Sequence, residues 1–305
     1  MLSAVFYWIL NMSIVGAVTG LIVLGLRRIR AIPSQIVYFL WIIPFIRLWI
    51  PIAFTNQYSL MSLLSRLGAR TVAVGDNGKD LSLTTMNTVK AAESYNPIIF
   101  ENNTLRLIFT IGAVVWATVF AALLLVLLIM YHRAKAQTGD SVHLYKNVYE
   151  SNRITSPAVY GVFRPKIIVP KGMPSQDLSY AVLHETAHIS RGDNFFRCAA
   201  LLTACFHWFN PMVWIFLKYY LADMELACDA KVMAKLDEKE RKLYAASLLN
   251  CLAPVGILVP ASPFGGAKIK VRIENILSYT KLTAASCVCF MLLLAAIAVV
   301  LLTNA

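Results

Sequence analysis

The sequence predicts a multi-pass α-helical membrane protein with four transmembrane helices and one α+β domain on the cytoplasmic side. Two properties of the 305-residue chain lead to this fold class: 58% of its residues are hydrophobic, and its mean hydropathy is +0.64. Both values lie far above the averages of soluble proteins. The third observation is that the apolar residues are gathered in long, almost uncharged stretches, which is typical of membrane spans.

Four stretches have the length and composition of a span. The first ends at the basic run Arg27-Arg28-Ile29-Arg30 and has no small-residue cleavage site, so it is predicted to stay as a transmembrane helix and not to be removed as a signal peptide. The four predicted spans run from Leu2 to Leu26, from Gln35 to Phe54, from Leu105 to Met130 and from Leu282 to Leu302.

The distribution of positive charge predicts the orientation of these spans. The short loop after the first span carries three arginines and no acid, so it should face the cytoplasm, with both chain termini outside. Most of the net charge of +12 therefore belongs to membrane flanks, which can contact the lipid bilayer. No aromatic residues interleave with these basic residues, so no direct binding of nucleic acid is predicted. The resulting division is 1–54 for spans 1 and 2, 55–104 for an extracellular loop, 105–130 for span 3, 131–279 for the cytoplasmic domain and 280–305 for span 4.

The cytoplasmic domain contains the pentapeptide His184-Glu185-Thr186-Ala187-His188. On a helix, the two histidines lie one turn apart on one face and can bind a single Zn²⁺. Glu185 lies beside them and can take a proton from an attacking water, which is the HExxH pattern of zinc proteases. Upstream, Pro174 supplies a turn and Ser175 a candidate N-cap for this helix. The predicted chemistry is peptide hydrolysis.

A catalytic zinc ion uses three protein ligands and one open position, so a third ligand is needed. Glu225 and Asp229 are four residues apart and would share one face of a downstream helix. We predict that Glu225 binds the metal and that Asp229 accepts the free N–H of a ligating histidine. Gluzincins divide these roles in the same way, so the domain is predicted to be gluzincin-like. The alternative is that both carboxylates only form the solvated face of an amphipathic helix.

Two further segments frame this site. Residues 156–170 are β-branched, aromatic and bounded by prolines, which predicts a hairpin or meander whose edge either accepts a substrate strand or is an ordinary edge. Residues 195–221 are apolar enough for a fifth span, but an odd count would separate Glu225 from His184. We therefore predict two helices that meet at Asn210-Pro211 and pack on the catalytic helix or enter the inner leaflet. Candidates for an oxyanion partner, by residue type alone, are Tyr160, His207 and Tyr244.

The cysteines agree with a reducing compartment. None lies in the predicted external loop, and no CxxC spacing suggests a second metal site. Cys228, next to Asp229, is predicted to be a small buried hydrophobe and not a ligand.

Several motifs follow one another between the spans, namely the HETAH pentapeptide, Arg191-Gly192-Asp193, Trp208-Phe209-Asn210-Pro211, Glu225-Leu226-Ala227-Cys228-Asp229 and residues 272–277. In this order they resemble the BlaR/MecR family of membrane zinc metalloproteases. The resemblance implies that His184, His188 and Glu225 bind Zn²⁺ and that Glu185 is the general base, on the cytoplasmic side of a bacterial cell membrane. Family members sense β-lactams outside and respond by proteolysis inside, which relieves repression. This implies a cytoplasmic protein substrate, a transcriptional repressor among the options, and an oligomer is compatible with it.

Receptor members of that family have two further features, a sensor domain and self-cleavage. No penicillin-binding sensor follows the fourth span, so we expect either a sensor trimmed from this sequence or a short member that receives its signal elsewhere. Ser278 and Lys281 match a Ser-x-x-Lys spacing only by chance, because no Lys-Thr-Gly follows. Receptor members also cut themselves before the last span, which here points to residues 259–270, with Ser262 and Phe264 at the predicted site. A plain linker is the alternative.

Two rival functions remain open. A site-2-type intramembrane protease would take its third ligand from an Asn-Pro-x-Asp-Gly segment, and Asn210-Pro211 is not followed by that sequence. A signalling scaffold would use zinc only to hold helices together. Glu185 favours an enzyme, because a structural site closed by four ligands needs no general base.

Overall fold

The computed structural model describes residues 2–29, 32–50, 103–252, 269–279 and 284–302. The predicted external loop, apart from its last two residues, lies outside these ranges, and so do Ser262 and Phe264. The helices are α1 (Leu2–Leu26), α2 (Ser34–Leu40), α3 (Ile42–Trp49), α4 (Asn103–Gln137), α5 (Ser175–Arg191), α6 (Asp193–Phe206), α7 (Pro211–Met233), α8 (Glu238–Leu252), α9 (Ile269–Leu277) and α10 (Ala284–Leu302). The strands are β1 (Val142–Tyr145), β2 (Val148–Ser151), β3 (Ala158–Tyr160) and β4 (Lys166–Pro170).

Two of these helices are long and apolar enough to cross a membrane, over Val5–Leu26 and Leu107–Gln137. Helix α1 has the bounds predicted for the first span, and α4 continues past the predicted end at Met130. Many apolar side chains of α4 are exposed on the protein, which suits a helix that contacts lipid. The number of four spans and their orientation stay predictions.

The second predicted span is not one helix. Helices α2 and α3 are separated at Trp41, because Pro44 has no N–H to donate to the carbonyl of Leu40 one turn earlier. Together they cover Ser34–Trp49, about 24 Å at 1.5 Å per residue, whereas a hydrocarbon core is roughly 30 Å thick. The predicted end at Phe54 lies outside the described residues.

The four strands form one mixed sheet in the order β1-β2-β4-β3. Strands β3 and β4 pair antiparallel, which confirms the hairpin predicted over residues 156–170. Gly161 begins its turn with φ of +90°, and a Cβ there would lie 2.8 Å from the carbonyl oxygen of Arg164, so glycine is required. Strand β2 pairs parallel with β4 and antiparallel with β1. Strand β3 is therefore an edge of the sheet.

Helices α5, α6 and α7 follow the sheet, and local sequence sets their ends. Gly192 adopts the left-handed conformation that ends α5, and α6 begins at the next residue. The predicted break at Asn210-Pro211 is confirmed: the Asn210 side chain accepts from the N–H of Met212 and caps α7. The N-cap predicted at Ser175 is wrong, because Pro174 holds the cap position and no side chain bonds there.

Helix α7 lies at the centre of the molecule. Its first half packs on α1, α2 and α3, and Gly20 of α1 allows this close approach because a Cβ there would overlap the Phe216 ring. A second apolar cluster joins its other half to α5, α8 and α9, and its buried members are Ala187, Cys228, Val232, Met233, Tyr244, Ala245, Leu248 and Ile276. Since α7 also carries Glu225 and Asp229, these two clusters position the site.

Candidate metal centre

In the HExxH segment, Nε2 of His184 and Nε2 of His188 face the same point. Both histidines lie on α5 and are buried, and their Nε2 atoms are 3.1 Å apart. Glu225 reaches this place from α7, with Oε2 3.5 Å from Nε2 of His184 and Oε1 3.6 Å from Nε2 of His188. Tetrahedral ligands at roughly 2.0–2.1 Å from zinc are about 3.3–3.4 Å apart. The three donor groups therefore fit one zinc ion.

A carboxylate fixes the tautomer of His188. The Nδ1 atom of this histidine lies 2.6 Å from Oδ2 of Asp193, which is fully buried at the start of α6. Because a carboxylate only accepts, Nδ1 of His188 carries the proton and Nε2 keeps a lone pair for a metal. The other oxygen of Asp193 accepts from the hydroxyl of Tyr38 at 3.3 Å and lies 3.4 Å from Nε of Arg191.

His184 is held by Tyr244, which is in turn held by Asp229. Its Nδ1 lies 2.7 Å from the hydroxyl of Tyr244, and that hydroxyl donates to Oδ1 of Asp229 at 2.7 Å. The hydroxyl proton is used toward Asp229, so Nδ1 of His184 must be the donor to Tyr244. Asp229 itself lies 3.3 Å from Nδ1. The predicted support of a histidine by Asp229 therefore passes mainly through the tyrosine.

Two arginines flank the Glu225 carboxylate. Nη2 of Arg197 lies 3.5 Å from Oε1, and Nη1 of Arg272 lies 3.3 Å from Oε2. Arg272 also forms a fork on Asp229, with Nε 2.7 Å from Oδ2 and Nη2 2.8 Å from Oδ1. Each oxygen of Glu225 is thus shared between one histidine and one arginine, which sets the orientation of its carboxylate.

The same contacts shift the ionisation of the cluster. Burial alone would lower the pKa of His188, but Glu225, Cys228 and Asp193 outweigh it and raise this pKa well above its usual value. Burial would raise the pKa of Glu225, but His188, His184 and Arg272 hold it well below the usual range. Burial acts likewise on Asp229, but Arg272 lowers its pKa to about 2. Protons and a divalent cation therefore compete for one group of buried donors.

A cleft of about 270 Å³ opens onto these residues and includes Glu185. Glu185 is only partly buried, and it follows His184 on α5 as the motif requires. One wall of the cleft is the edge strand β3 with the residues before it, from Ser156 to Val159. Asn194 donates to the carbonyls of Val159 and Gly161 at 3.1 and 2.9 Å, so part of this edge is already paired.

The sequence offered three candidates for an oxyanion partner by residue type alone, and the structure places them in three different positions. Tyr244 lies behind His184 and not in front of the converging nitrogens. Tyr160 is close enough to Glu185 that burial and then this carboxylate raise its pKa. His207 lies elsewhere: it is buried, and its Nε2 is 3.2 Å from the carbonyl oxygen of Leu48. Tyr160 is the last residue of β3, and its neighbour Val159 lines the cleft whereas Tyr160 does not.

Cys228 belongs to the cluster but faces another atom of His184. Its donor atom lies within 4.8 Å of a donor atom of each histidine. Its Sγ is 3.8 Å from Nδ1 of His184 and 3.5 Å from the carbonyl oxygen of the same residue. The contacts with His184 are on the Nδ1 side of its ring, and the residue is fully buried. Since His184, His188 and Cys228 also have donor atoms close enough to share one metal ion, the predicted packing role of Cys228 stays a prediction.

Sequence reasoning missed the roles of Asp193, Tyr244, Arg197 and Arg272. Asp193 had a usable signal, since Gly192 ends α5 and turns the chain back toward its last turn. Arg272 had none in spacing or composition, because it lies 88 residues from His184 along the chain.

A helix pair that presents two histidines and a glutamate around a carboxylate-bearing cleft defines a site of the metallopeptidase class. Comparison with known proteins agrees: the family model described as BlaR1 peptidase M56 matches residues 7–276, and the chain belongs to this family. The regulatory protein BlaR1 of Bacillus licheniformis is 32% identical over 188 residues, which is 56% of this chain and 30% of that protein.

Two staphylococcal relatives are similar over shorter stretches. The methicillin resistance mecR1 protein of Staphylococcus aureus (strain Mu50) is 31% identical over 107 residues, 34% of this chain and 18% of that protein. The regulatory protein BlaR1 of Staphylococcus aureus is 26% identical over 146 residues, 44% of this chain and 25% of that protein. The chain thus spans less than a third of the length of each of these relatives.

Proposed function

We propose that the protein is a membrane zinc endopeptidase that transmits a signal by cleaving a cytoplasmic regulator. The observation that carries this proposal is the convergence of His184, His188 and Glu225 beside a cleft that contains Glu185. Membership of the peptidase M56 family supports the reaction class. The regulatory role is supported by the names of the relatives, which are a regulatory protein and a methicillin resistance protein.

The donor set fits zinc better than a hard cation. His184 and His188 offer two neutral nitrogens and Glu225 one carboxylate, which are typical ligands of catalytic zinc, whereas Mg²⁺ and Ca²⁺ prefer oxygen donors alone. A set of three protein ligands leaves a position open for chemistry. When bound there, zinc supplies a Lewis acid that lowers the pKa of a water toward neutrality.

The residues of this chain then divide the remaining work. Glu185 takes a proton from the attacking water and later donates it to the leaving amine. Asp193 and Asp229, the latter through Tyr244, keep the histidines in the tautomer that leaves Nε2 free.

The edge strand β3 is the proposed place for the substrate backbone. It lies at the end of the sheet and lines the cleft, so an extended peptide can add to it as a further strand. Asn194 already binds the carbonyls of Val159 and Gly161, so the substrate is expected to pair with the part of the edge toward Ser156.

The membrane arrangement is part of this proposal. Four spans with both termini outside would place the site on the cytoplasmic side, within reach of a repressor and of the chain's own segment around Ser262 and Phe264. Two helices of the described residues meet the length and composition for a span, and the basic flanks favour this orientation.

Glu185→Gln tests the reaction. Membranes that contain the wild type or this variant are compared for zinc content and for fragments of the protein itself and of neighbouring cytoplasmic proteins. The expected result is equal zinc in both and fragments only in the wild type, because general base catalysis contributes about 10²–10⁴-fold in rate. Glu238→Gln is the matched control, since Glu238 is exposed and forms a surface ion pair with Lys242.

The opposite outcome has a clear meaning. Equal zinc together with identical fragments under inducing and resting conditions would show that Glu185 takes no part in hydrolysis. The site would then hold α5 and α7 together as a scaffold.

A further inference from the structure

Arg272 reaches the centre from α9, a helix outside the HExxH region. Its side chain is only 7% exposed, and it contacts both carboxylates that α7 contributes. Its Nη2 also lies 3.4 Å from Nε2 of His184. A buried guanidinium with this many contacts is costly to place unless each partner is paired, so its position is well determined.

The contacts of Arg272 orient the side chains around it. Asp229 is buried and Glu225 is partly buried one turn before it on α7, and without a cation between them the two carboxylates would repel each other. The fork on Asp229 fixes the plane of that carboxylate, and its Oδ1 is also the acceptor for Tyr244. The orientation of His184 therefore depends on Arg272 through three hydrogen bonds: Arg272 donates to Asp229, Tyr244 donates to Asp229, and His184 donates to Tyr244.

Arg272 lies on the buried face of α9. Ile276, one turn further on, is buried in the cluster that contains Tyr244 and Cys228, whereas Lys270 and Glu274 are exposed. A helix of nine residues is not stable by itself. It holds its shape through these docking contacts.

We propose that Arg272 is a positioning residue of the metal centre, and that the centre is complete only when α9 is docked. Arg272 acts through Asp229 and Glu225 and sets the orientation of two metal-supporting groups at once. The proposal rests on the metal site of the proposed function, but it does not depend on cleavage of any substrate.

Arg272→Gln tests this role by the affinity for Zn²⁺. Metal-free protein in lipid nanodiscs is titrated with Zn²⁺ against a chromophoric chelator. The expected result is an affinity about 10–100-fold weaker than in the wild type, the usual effect of losing such a supporting group. The direction of the change in Zn²⁺ affinity distinguishes two roles of Arg272, because this cation lies beside Nε2 of His184. If it acted only as a charge, its removal would strengthen the binding of Zn²⁺.

Two further variants sharpen the result. Arg272→Lys keeps the charge but loses the planar fork, so it should bind Zn²⁺ nearly as weakly as Arg272→Gln. Arg272→Ala should regain affinity when guanidinium is added below denaturing concentrations, and an equal amount of urea should have no effect. Arg153→Gln is the control, since Arg153 forms an exposed ion pair with Asp140. Unchanged or tighter binding in Arg272→Gln would overturn the proposal.

A variant outside the centre tests the docking of α9 and covers the case that Arg272→Gln does not fold. Ile276→Ala keeps the arginine but removes much of the apolar contact that seats the helix. We expect weaker binding of Zn²⁺ in Ile276→Ala and wild-type binding in Ile276→Val. Wild-type affinity in Ile276→Ala, with its melting temperature lowered, would show that the centre does not need a docked α9.

These outcomes are separate from those of the proposed function. If Glu185→Gln leaves cleavage unchanged, the protein is not the peptidase proposed, but the effect of Arg272 on metal affinity can still be measured. If Arg272→Gln binds Zn²⁺ normally, the positioning role is wrong while the peptidase proposal stands.

Discussion

Replacing Asp193 by asparagine should weaken metal binding without touching a ligand. Oδ2 of Asp193 lies 2.6 Å from Nδ1 of His188, and the residue is fully buried. Asparagine has the same shape but no charge, so it forms a weaker hydrogen bond, and its amide can rotate to donate to Nδ1 and favour the wrong tautomer. Loss of such a partner costs about 10–100-fold in metal affinity, or roughly 1.4–2.8 kcal/mol.

The assay is a competition titration of metal-free protein with Zn²⁺ in nanodiscs. Asp140→Asn makes the same chemical change at an exposed ion pair and should leave the affinity at the wild-type value. Tyr38→Phe removes a hydroxyl that touches the other oxygen of Asp193 at 3.3 Å but keeps the carboxylate, so its effect should be smaller, below about 10-fold.

The reasoning would be refuted by a folded Asp193→Asn protein whose Zn²⁺ affinity equals that of Asp140→Asn. Thermal unfolding of the metal-free variants establishes that each is folded before titration. Equal affinities would mean that the short contact orients the ring in the free protein but contributes nothing once a metal is bound.

Two further predictions concern α7. Cys228→Ala should leave the zinc content unchanged and cost about 1 kcal/mol of stability, because the thiol is buried behind His184; loss of zinc would instead make it a ligand. Asp229 has its pKa lowered to about 2 in the fold, so its stabilising effect is fully present above pH ~4 and is lost as the pH falls toward 2, by about 2 kcal/mol. Thermal unfolding of the metal-free protein over this pH range measures the loss, and Asp229→Asn should show a smaller dependence; equal slopes would contradict the assignment.

The parts of the site that sequence could predict are those encoded over a single turn of helix. His184, Glu185 and His188 form a local motif, and Glu225 and Asp229 share a face by spacing alone. The structure brings the predicted ligands together, with donor atoms 3.1–3.6 Å apart. Arg272 begins one of the motifs that resemble the family, but its role could not be found in this way, since only the folding of α9 onto α5 and α7 brings it to the site.

The fold shows the same division. Helix α1 was predictable because its apolar run ends at a basic cluster, and the β3–β4 hairpin because prolines bound it. The break at Trp41 was missed although Pro44 was a visible signal. The sequence analysis also missed strands β1 and β2. A signal for this hairpin was present, because the short turn at Lys146, with φ of 46°, lies between β-branched and aromatic residues.

The supports of the metal centre extend to the helices at the start of the chain. The Arg27 side chain at the end of α1 lies 2.8 Å from Asp223, two residues before Glu225 on α7, and Trp41 donates to the same carboxylate at 2.8 Å. Tyr38 of α2 donates to Asp193, which holds His188. The proposed ligand Glu225 and the residue that supports the proposed ligand His188 are thus each tied to a predicted membrane span. A shift of these helices along their axes would have to lengthen or break these polar contacts, whose partners on α7 and α6, Asp223 and Asp193, are buried.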